Sequence, residues 1–164
     1  MEDVVSQEKL LEKYLKENKK ALAVKLLFDL IATHAQANHF SKADVLREKL
    51  FEVDPMALPE IVKSAEIIES TKIAAIDQVH RQVWSQLYAK LTKEETIAFY
   101  YGTKSASYET EQVIFRQGEI NSNLYFINAG EIKMFYHKDK SGIFLKTLGP
   151  GDIAGDDTFF THST

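Results

Sequence analysis

The chain has 164 residues, a length that suits one large domain or two small ones, and its formal net charge is −4. This acidic balance argues against a nucleic-acid-binding protein, which needs a surplus of lysine and arginine to neutralise phosphates. No apolar run approaches the length of a membrane span, and the acidic N-terminus lacks the apolar stretch of a signal peptide. The absence of cysteine excludes disulfides and thiol catalysis. We therefore expect a cytoplasmic protein that contacts neither a membrane nor nucleic acid.

The first hundred residues have the apolar spacing of helices. Residues 21–37 are apolar around most of a helical circumference, which predicts a helix buried by several neighbours. Ser41 followed by Asp44 resembles a capping box that would open a further helix, and Pro55 predicts where that helix ends. Pro59 suits the first position of the next helix, where a missing N–H costs nothing.

The clearest helical periodicity covers residues 73–91, where apolar side chains recur at i, i+3, i+4 and i+7. His80 lies on the apolar face of this predicted helix, and we interpret it as a half-buried packing histidine rather than a ligand. Thr92 and Glu95 form a second capping box, and Gly102 would end the short helix that they open. We expect the helical region to end near this glycine.

After Gly102 the pattern changes to short runs of β-branched and aromatic residues separated by glycine-containing turns. The runs cover residues 113–115, 124–127, 132–136 and 143–145. Such strands at intervals of about ten residues are typical of an antiparallel sandwich or barrel. The turn Asn128-Ala129-Gly130 lets the chain reverse tightly, because glycine adopts positive φ without a steric cost.

Three segments of this region, residues 113–119, 124–132 and 148–155, together resemble the cyclic nucleotide-binding domain family. The family's run is I-F-x-x-G-E, then L-Y-x-I-x-x-G-x-V, then L-G-x-G-D-x-F-G-E. The resemblance implies an α+β protein, in which an N-terminal helical bundle precedes an antiparallel β jelly roll that is incomplete in this chain. We expect the helical region to span residues 1–91 and the N-terminal part of the barrel to span residues 92–164.

In this family the phosphate of the ligand sits on backbone N–H groups at the start of a short helix, which suits an anion. The resemblance implies six candidate ligand-binding residues, four in the phosphate cassette and two apolar ones that line the pocket: Gly155, Asp156, Asp157 and Thr158, then Met134 and Leu145. The ligand that it suggests is cyclic AMP or cyclic GMP.

Two departures from the family pattern weaken this expectation of binding. The family's cassette has glutamate, which takes the ribose 2′-hydroxyl, where this chain has the shorter Asp156, and a second carboxylate follows at Asp157. The family's phosphate-binding arginine would fall beyond Thr164, so we expect the chain to be a piece of a longer protein. The aspartate pair has an alternative interpretation as turn residues that cap the following helix.

No pattern of catalytic or metal-binding residues was found in the sequence. The five histidines have no H-x-H or H-E-x-x-H spacing, and no G-x-S-x-G elbow is present. We therefore predict neither catalysis nor a metal. Four residues of the helical region match positions of a tetratricopeptide-type repeat: Leu30, Phe40, Ala43 and Pro55. An ordinary helical hairpin explains the same four residues.

The leading hypothesis is a bacterial sensory or regulatory protein, in which a cyclic nucleotide-binding-like module is coupled to a helical region that contacts a protein partner. One alternative is a ligand-free barrel that serves as an interaction or dimerisation scaffold. Another is a transcription regulator whose DNA-binding part is not in this chain. We expect a homo-oligomer, because apolar positions would stay uncovered in an incomplete barrel. These positions include Phe126, Phe135, Phe144, Phe159 and Phe160.

Overall fold

The computed structural model of the protein describes residues 2–119, 121–138 and 141–156. Its helices are α1 (Glu2–Lys16), α2 (Lys20–Gln36), α3 (Phe40–Val53), α4 (Leu58–Ala74), α5 (Gln78–Val83), α6 (Ser85–Tyr88) and α7 (Lys93–Gly102). Its strands are β1 (Tyr125–Phe126), β2 (Ile132–Lys138), β3 (Ser141–Leu148) and β4 (Ile153–Ala154). The predicted α+β class and the change from helices to strands after Gly102 are confirmed. The jelly-roll topology stays a prediction.

The described residues divide into two compact units. The helical unit comprises the chain up to Ile76 together with Leu91–Gly102, and the β unit comprises Asp77–Lys90 together with the chain from Thr103 onward. The chain therefore passes from one unit to the other three times. The domain boundary that we expected between residues 91 and 92 stays a prediction.

The core of the helical unit is built around α2. Leu27, Leu30 and Ile31 are fully buried there, and α1, α3 and α4 all pack against this helix. A helix that is apolar around most of its circumference needs several packing neighbours, and α2 has three. The prediction for residues 21–37 is therefore confirmed. The likeness to a tetratricopeptide repeat stays a prediction. None of the helices in the described part of the chain is long and apolar enough to span a membrane.

The capping box predicted at Ser41 and Asp44 is wrong. Helix α3 already begins at Phe40, and no side chain caps it. The Asp44 carboxylate instead accepts a hydrogen bond from the Lys72 ammonium at 2.9 Å, because a charged partner on α4 competes with the local backbone. By contrast, α3 ends at Val53, two residues before a proline, as the sequence predicts.

The two other helix starts agree more closely with the sequence. Helix α4 begins at Leu58, so Pro59 occupies the second position rather than the first. The capping box before α7 is confirmed. The Thr92 hydroxyl accepts from the Glu95 N–H at 3.2 Å, and the Glu95 carboxylate accepts from the Thr92 N–H at 2.8 Å.

The single helix predicted over residues 73–91 is wrong, because the chain there forms the end of α4, then α5 and α6. Asp77 has a non-helical backbone conformation, and its side chain accepts a hydrogen bond from the His80 N–H at 2.8 Å. This is the geometry of an N-cap, which starts a new helix wherever it forms. Trp84 separates α5 from α6.

The described strands form two antiparallel pairs, β1 with β4 and β2 with β3. A small core of Ile127, Leu148 and Ala154 lies beneath them. The turn after β1 is confirmed, since Gly130 has φ +76°. The run 113–115 predicted a strand, but these residues have no strand pairing in the structure. Phe115 instead stacks on Tyr125 with ring centroids 5.7 Å apart.

Candidate ligand site

Strand pair β1–β4 brings the start of the predicted phosphate cassette to a defined place in the β unit. Phe126 pairs with Ile153, and the Ile127 N–H donates to the Asp152 carbonyl at 3.1 Å. The Gly151 N–H in turn donates to the Ile127 carbonyl at 3.0 Å. These bonds fix the chain up to the end of β4, and the candidate residues follow directly.

Gly155 is held where no other residue fits. Its φ is +86°, and a Cβ atom added to it would lie 2.5 Å from the Asn123 carbonyl oxygen. The facing turn is itself ordered, because the Asn123 N–H donates to the side-chain oxygen of Asn121 at 3.1 Å. Both the backbone conformation and the close approach therefore require glycine here. The sequence suggested this residue only through the family pattern.

Asp156 is the next residue of the predicted cassette. Asp156 is exposed to solvent, directly after the tightly held glycine. Asp157 and Thr158 lie outside the described residues. The structure thus describes two of the four predicted cassette residues and puts a carboxylate on the surface next to Gly155.

The two predicted pocket residues lie in different surroundings. Met134 packs against the small core of Ile127, Leu148 and Ala154. Leu145 is 55% exposed. It is the extra residue of a bulge, because Met134 pairs with Lys146 while the next residue along β2 pairs with Phe144. The structure therefore brings Met134 to the core beneath the strands but does not bring Leu145 there.

Residues 105–164 match the cyclic nucleotide-binding domain. Among the described residues, the match contains the four strands and none of the seven helices that we number. It confirms the resemblance drawn from the three sequence motifs. The matched segment thus begins at Ser105, three residues after the end of α7.

A relative with the printed name cAMP/cGMP-dependent 3′,5′-cAMP/cGMP phosphodiesterase B, from Dictyostelium discoideum, is 26% identical over 83 residues. Those residues make up 51% of this chain and 7% of the relative, so the chain spans only a small part of the relative's length. The relative is eukaryotic and gives no support to a bacterial source. No solved structure matches the chain.

A polar contact within the β unit escaped the sequence analysis. The side-chain oxygen of Asn128 accepts a hydrogen bond from the Trp84 indole at 2.8 Å, and His80 Nδ1 lies 2.9 Å from the same oxygen. Since an amide oxygen can only accept, this nitrogen of His80 carries the proton. His80 and Trp84 are both buried. The only signal in the sequence was the presence of these two N–H donors on an otherwise apolar stripe.

The described residues offer no cluster of three or more histidine and acidic side chains that could hold a metal ion. They do form a cleft of about 300 Å³ within the helical unit, lined by residues of α3, α4 and α7. Both signs of charge line it: Asp44, Arg47, Glu69, Lys72 and Glu94. Because both signs of charge are present and Lys72 already pairs with Asp44, the cleft does not favour a ligand of either charge.

Proposed function

We propose that this chain is a regulatory module that senses a cyclic nucleotide, cyclic AMP or cyclic GMP, and performs no catalysis itself. The observation that carries the proposal is the match of residues 105–164 to the cyclic nucleotide-binding domain. The position of Gly155 supports it, because a glycine with positive φ lets the backbone approach an anion closely.

In this proposal the ligand phosphate binds the backbone N–H groups of the segment that begins at Gly155. Asp156 accepts a hydrogen bond from the ribose 2′-hydroxyl, and Met134 and Leu145 contact the base or sugar. Binding is weak, because the carboxylates of Asp156 and Asp157 repel the phosphate. The module acts in the cytoplasm, and the helical unit carries the contact with a protein partner.

The relative's name supports a regulatory reading as well as an enzymatic one, since it is called both dependent on cyclic nucleotides and a phosphodiesterase. We assign to this chain only the response to cyclic nucleotides and not the phosphodiesterase activity. No nucleophile–base pair or metal-ligand spacing in the sequence supports hydrolysis. Incubation of the purified chain with cyclic AMP should leave the nucleotide intact, and accumulation of 5′-AMP would contradict the regulatory assignment.

Titration calorimetry with cyclic AMP, its 2′-deoxy analogue and 5′-AMP tests the binding site. A charge-assisted hydrogen bond to the 2′-hydroxyl is worth about 1.5–3 kcal/mol, so removing the hydroxyl should weaken binding at least roughly tenfold. In the variant Asp156→Ala this ratio should fall to about one, because the bond is already missing. A ratio that stays the same in the variant would remove Asp156 from the site, and equal binding of 5′-AMP would exclude a cyclic-nucleotide site.

A second candidate function is an interaction or dimerisation scaffold without a ligand. The observation that favours it is the apolar surface of the β2–β3 hairpin. Five large apolar side chains of this hairpin are each 45–55% exposed: Phe135, Tyr136, Ile143, Phe144 and Leu145. This function would be favoured if calorimetry detects no binding of a cyclic nucleotide and the chain self-associates.

A further inference from the structure

The side-chain oxygen of Asn128 joins two distant parts of the sequence. It accepts from Trp84 Nε1 and from His80 Nδ1, at sequence separations of 44 and 48 residues. An amide oxygen has two lone pairs, and both are used here. Trp84 and His80 are only 5% and 7% exposed, so their N–H groups have little access to water if Asn128 is lost. We call these three residues the Asn128 junction.

On the β side, the junction is directly connected to the candidate ligand site. Phe126 lies two residues before Asn128, and its ring meets the Trp84 ring edge-on with centroids 5.2 Å apart. Phe126 also pairs with Ile153 in the β1–β4 ladder. Gly155 follows two residues later. A shift of the chain at this glycine is therefore passed to the junction by one pair of short strands.

Within the same β unit, the junction also holds α5 and α6, which lie between α4 and α7 in the chain. Those two flanking helices pack against each other in the helical unit. Their ends are also linked, because the Tyr101 hydroxyl donates to the Lys72 carbonyl at 3.0 Å.

We propose that Asn128 is the positioning residue through which occupancy of the site at Gly155 and Asp156 changes the packing of α5 and α6. This inference rests on the proposed cyclic-nucleotide site and names the residue through which that site acts on these two helices. Two hydrogen bonds to one oxygen are a directional constraint, so a small displacement of Asn128 weakens both together. A ligand that favours one arrangement of β1 and β4 then biases the arrangement of α5 and α6.

Trp84 provides the readout, because it is the only tryptophan in the chain. The full chain is titrated with cyclic AMP and cyclic GMP up to millimolar concentration, with 5′-AMP as the control, while indole emission and calorimetric heat are recorded in parallel. In the unaltered chain the emission should change with the same midpoint as the heat. In Asn128→Ala the ligand should still bind within about threefold of the original affinity, but the emission change should disappear.

Two further variants separate coupling from stability. Asn128→Asp keeps an oxygen that accepts from both donors, and it should retain the emission change. Ile68→Ala removes buried apolar contact in the helical unit, and it should lower stability while leaving the emission change intact. If Asn128→Ala does not fold, His80→Leu serves instead, since it removes one bond and should reduce the emission change.

The outcomes distinguish the two proposals. Absence of any calorimetric binding to the cyclic nucleotides would overturn the proposed function and this inference with it. Binding without a change in Trp84 emission would overturn only the inference. The same holds if Asn128→Ala, or His80→Leu in its place, binds the nucleotide with an undiminished emission change.

Discussion

Gly155 occupies a position that only glycine tolerates, so replacing it should lower the stability of the chain measurably. A side chain in the left-handed region costs about 1–2 kcal/mol, and the Cβ at 2.5 Å from the Asn123 carbonyl adds a clash with backbone. We predict that Gly155→Ala lowers the free energy of unfolding by at least about 1 kcal/mol in urea. It should also speed hydrogen exchange of the β1–β4 amides.

The matched control for this prediction is Gly149→Ala in the preceding turn. A Cβ at Gly149 would meet nothing within 4 Å, and the residue has no positive φ. The control should therefore stay within about 0.5 kcal/mol of the unaltered chain. Equal stability of the Gly155→Ala and Gly149→Ala variants would show that the chain near Asn123 yields easily, and that Gly155 is not fixed.

At the level of single residues, the sequence indicated candidate positions but not the contacts that those residues make. Gly155 was identified through the family pattern, whereas its contact with Asn123 depends on a turn thirty-two positions earlier, which no local pattern reveals. Asn128 was read only as a turn residue. Its role as a double acceptor depends on donors 44 and 48 residues away, and hydrophobic periodicity carries no information about such pairs.

At the level of elements, local chemistry decided the cases in which periodicity failed. The apolar repeat over residues 73–91 predicts one helix, but Asp77 caps a new helix and ends the repeat as a single element. The capping box at Thr92 and Glu95 was predicted correctly because both partners lie within one turn. Strand β4 has only two residues, too few to form an alternating pattern, and the sequence analysis did not predict it.

The cap at Asp77 gives a prediction about α5. The Asp77 side chain accepts from the His80 N–H at 2.8 Å, so Asp77→Ala should cost about 1 kcal/mol of stability. Hydrogen exchange of the His80 amide should accelerate, because the substitution removes the side-chain oxygen that accepts its hydrogen bond. Gln78→Ala is the control, since Gln78 is exposed and alanine favours helix. The prediction fails if both variants exchange at the same rate as the unaltered chain.

At the level of the whole molecule, the two units differ in how completely they bury their apolar side chains. The helical unit encloses a continuous core from Leu11 to Ile68. The described strands enclose three buried residues, while both faces of the β2–β3 hairpin carry exposed apolar groups. The sequence predicted the apolar runs correctly, but the coverage of each run depends on which other strands lie beside it, and a single run does not contain that information.

The exposed hairpin leads to our last prediction, that the chain self-associates through β2 and β3. Phe135 and Phe144 contact each other with ring centroids 5.7 Å apart and are 47% and 55% exposed. Burying such a side chain fully is worth about 1.5–3 kcal/mol, and exposed apolar patches mark association surfaces. Sedimentation velocity over a range of concentrations should therefore detect dimers or larger species.

The variant Phe144→Gln tests whether this hairpin is the contact surface. It removes one apolar ring without adding charge, so the dissociation constant should rise by about tenfold or more. Phe51→Gln in the helical unit is the matched control, because Phe51 is also 55% exposed. The control should associate like the unaltered chain if the contact is specific to the hairpin. A monomer at every concentration would refute self-association, and an equal effect of both substitutions would mean that the association does not depend on the hairpin.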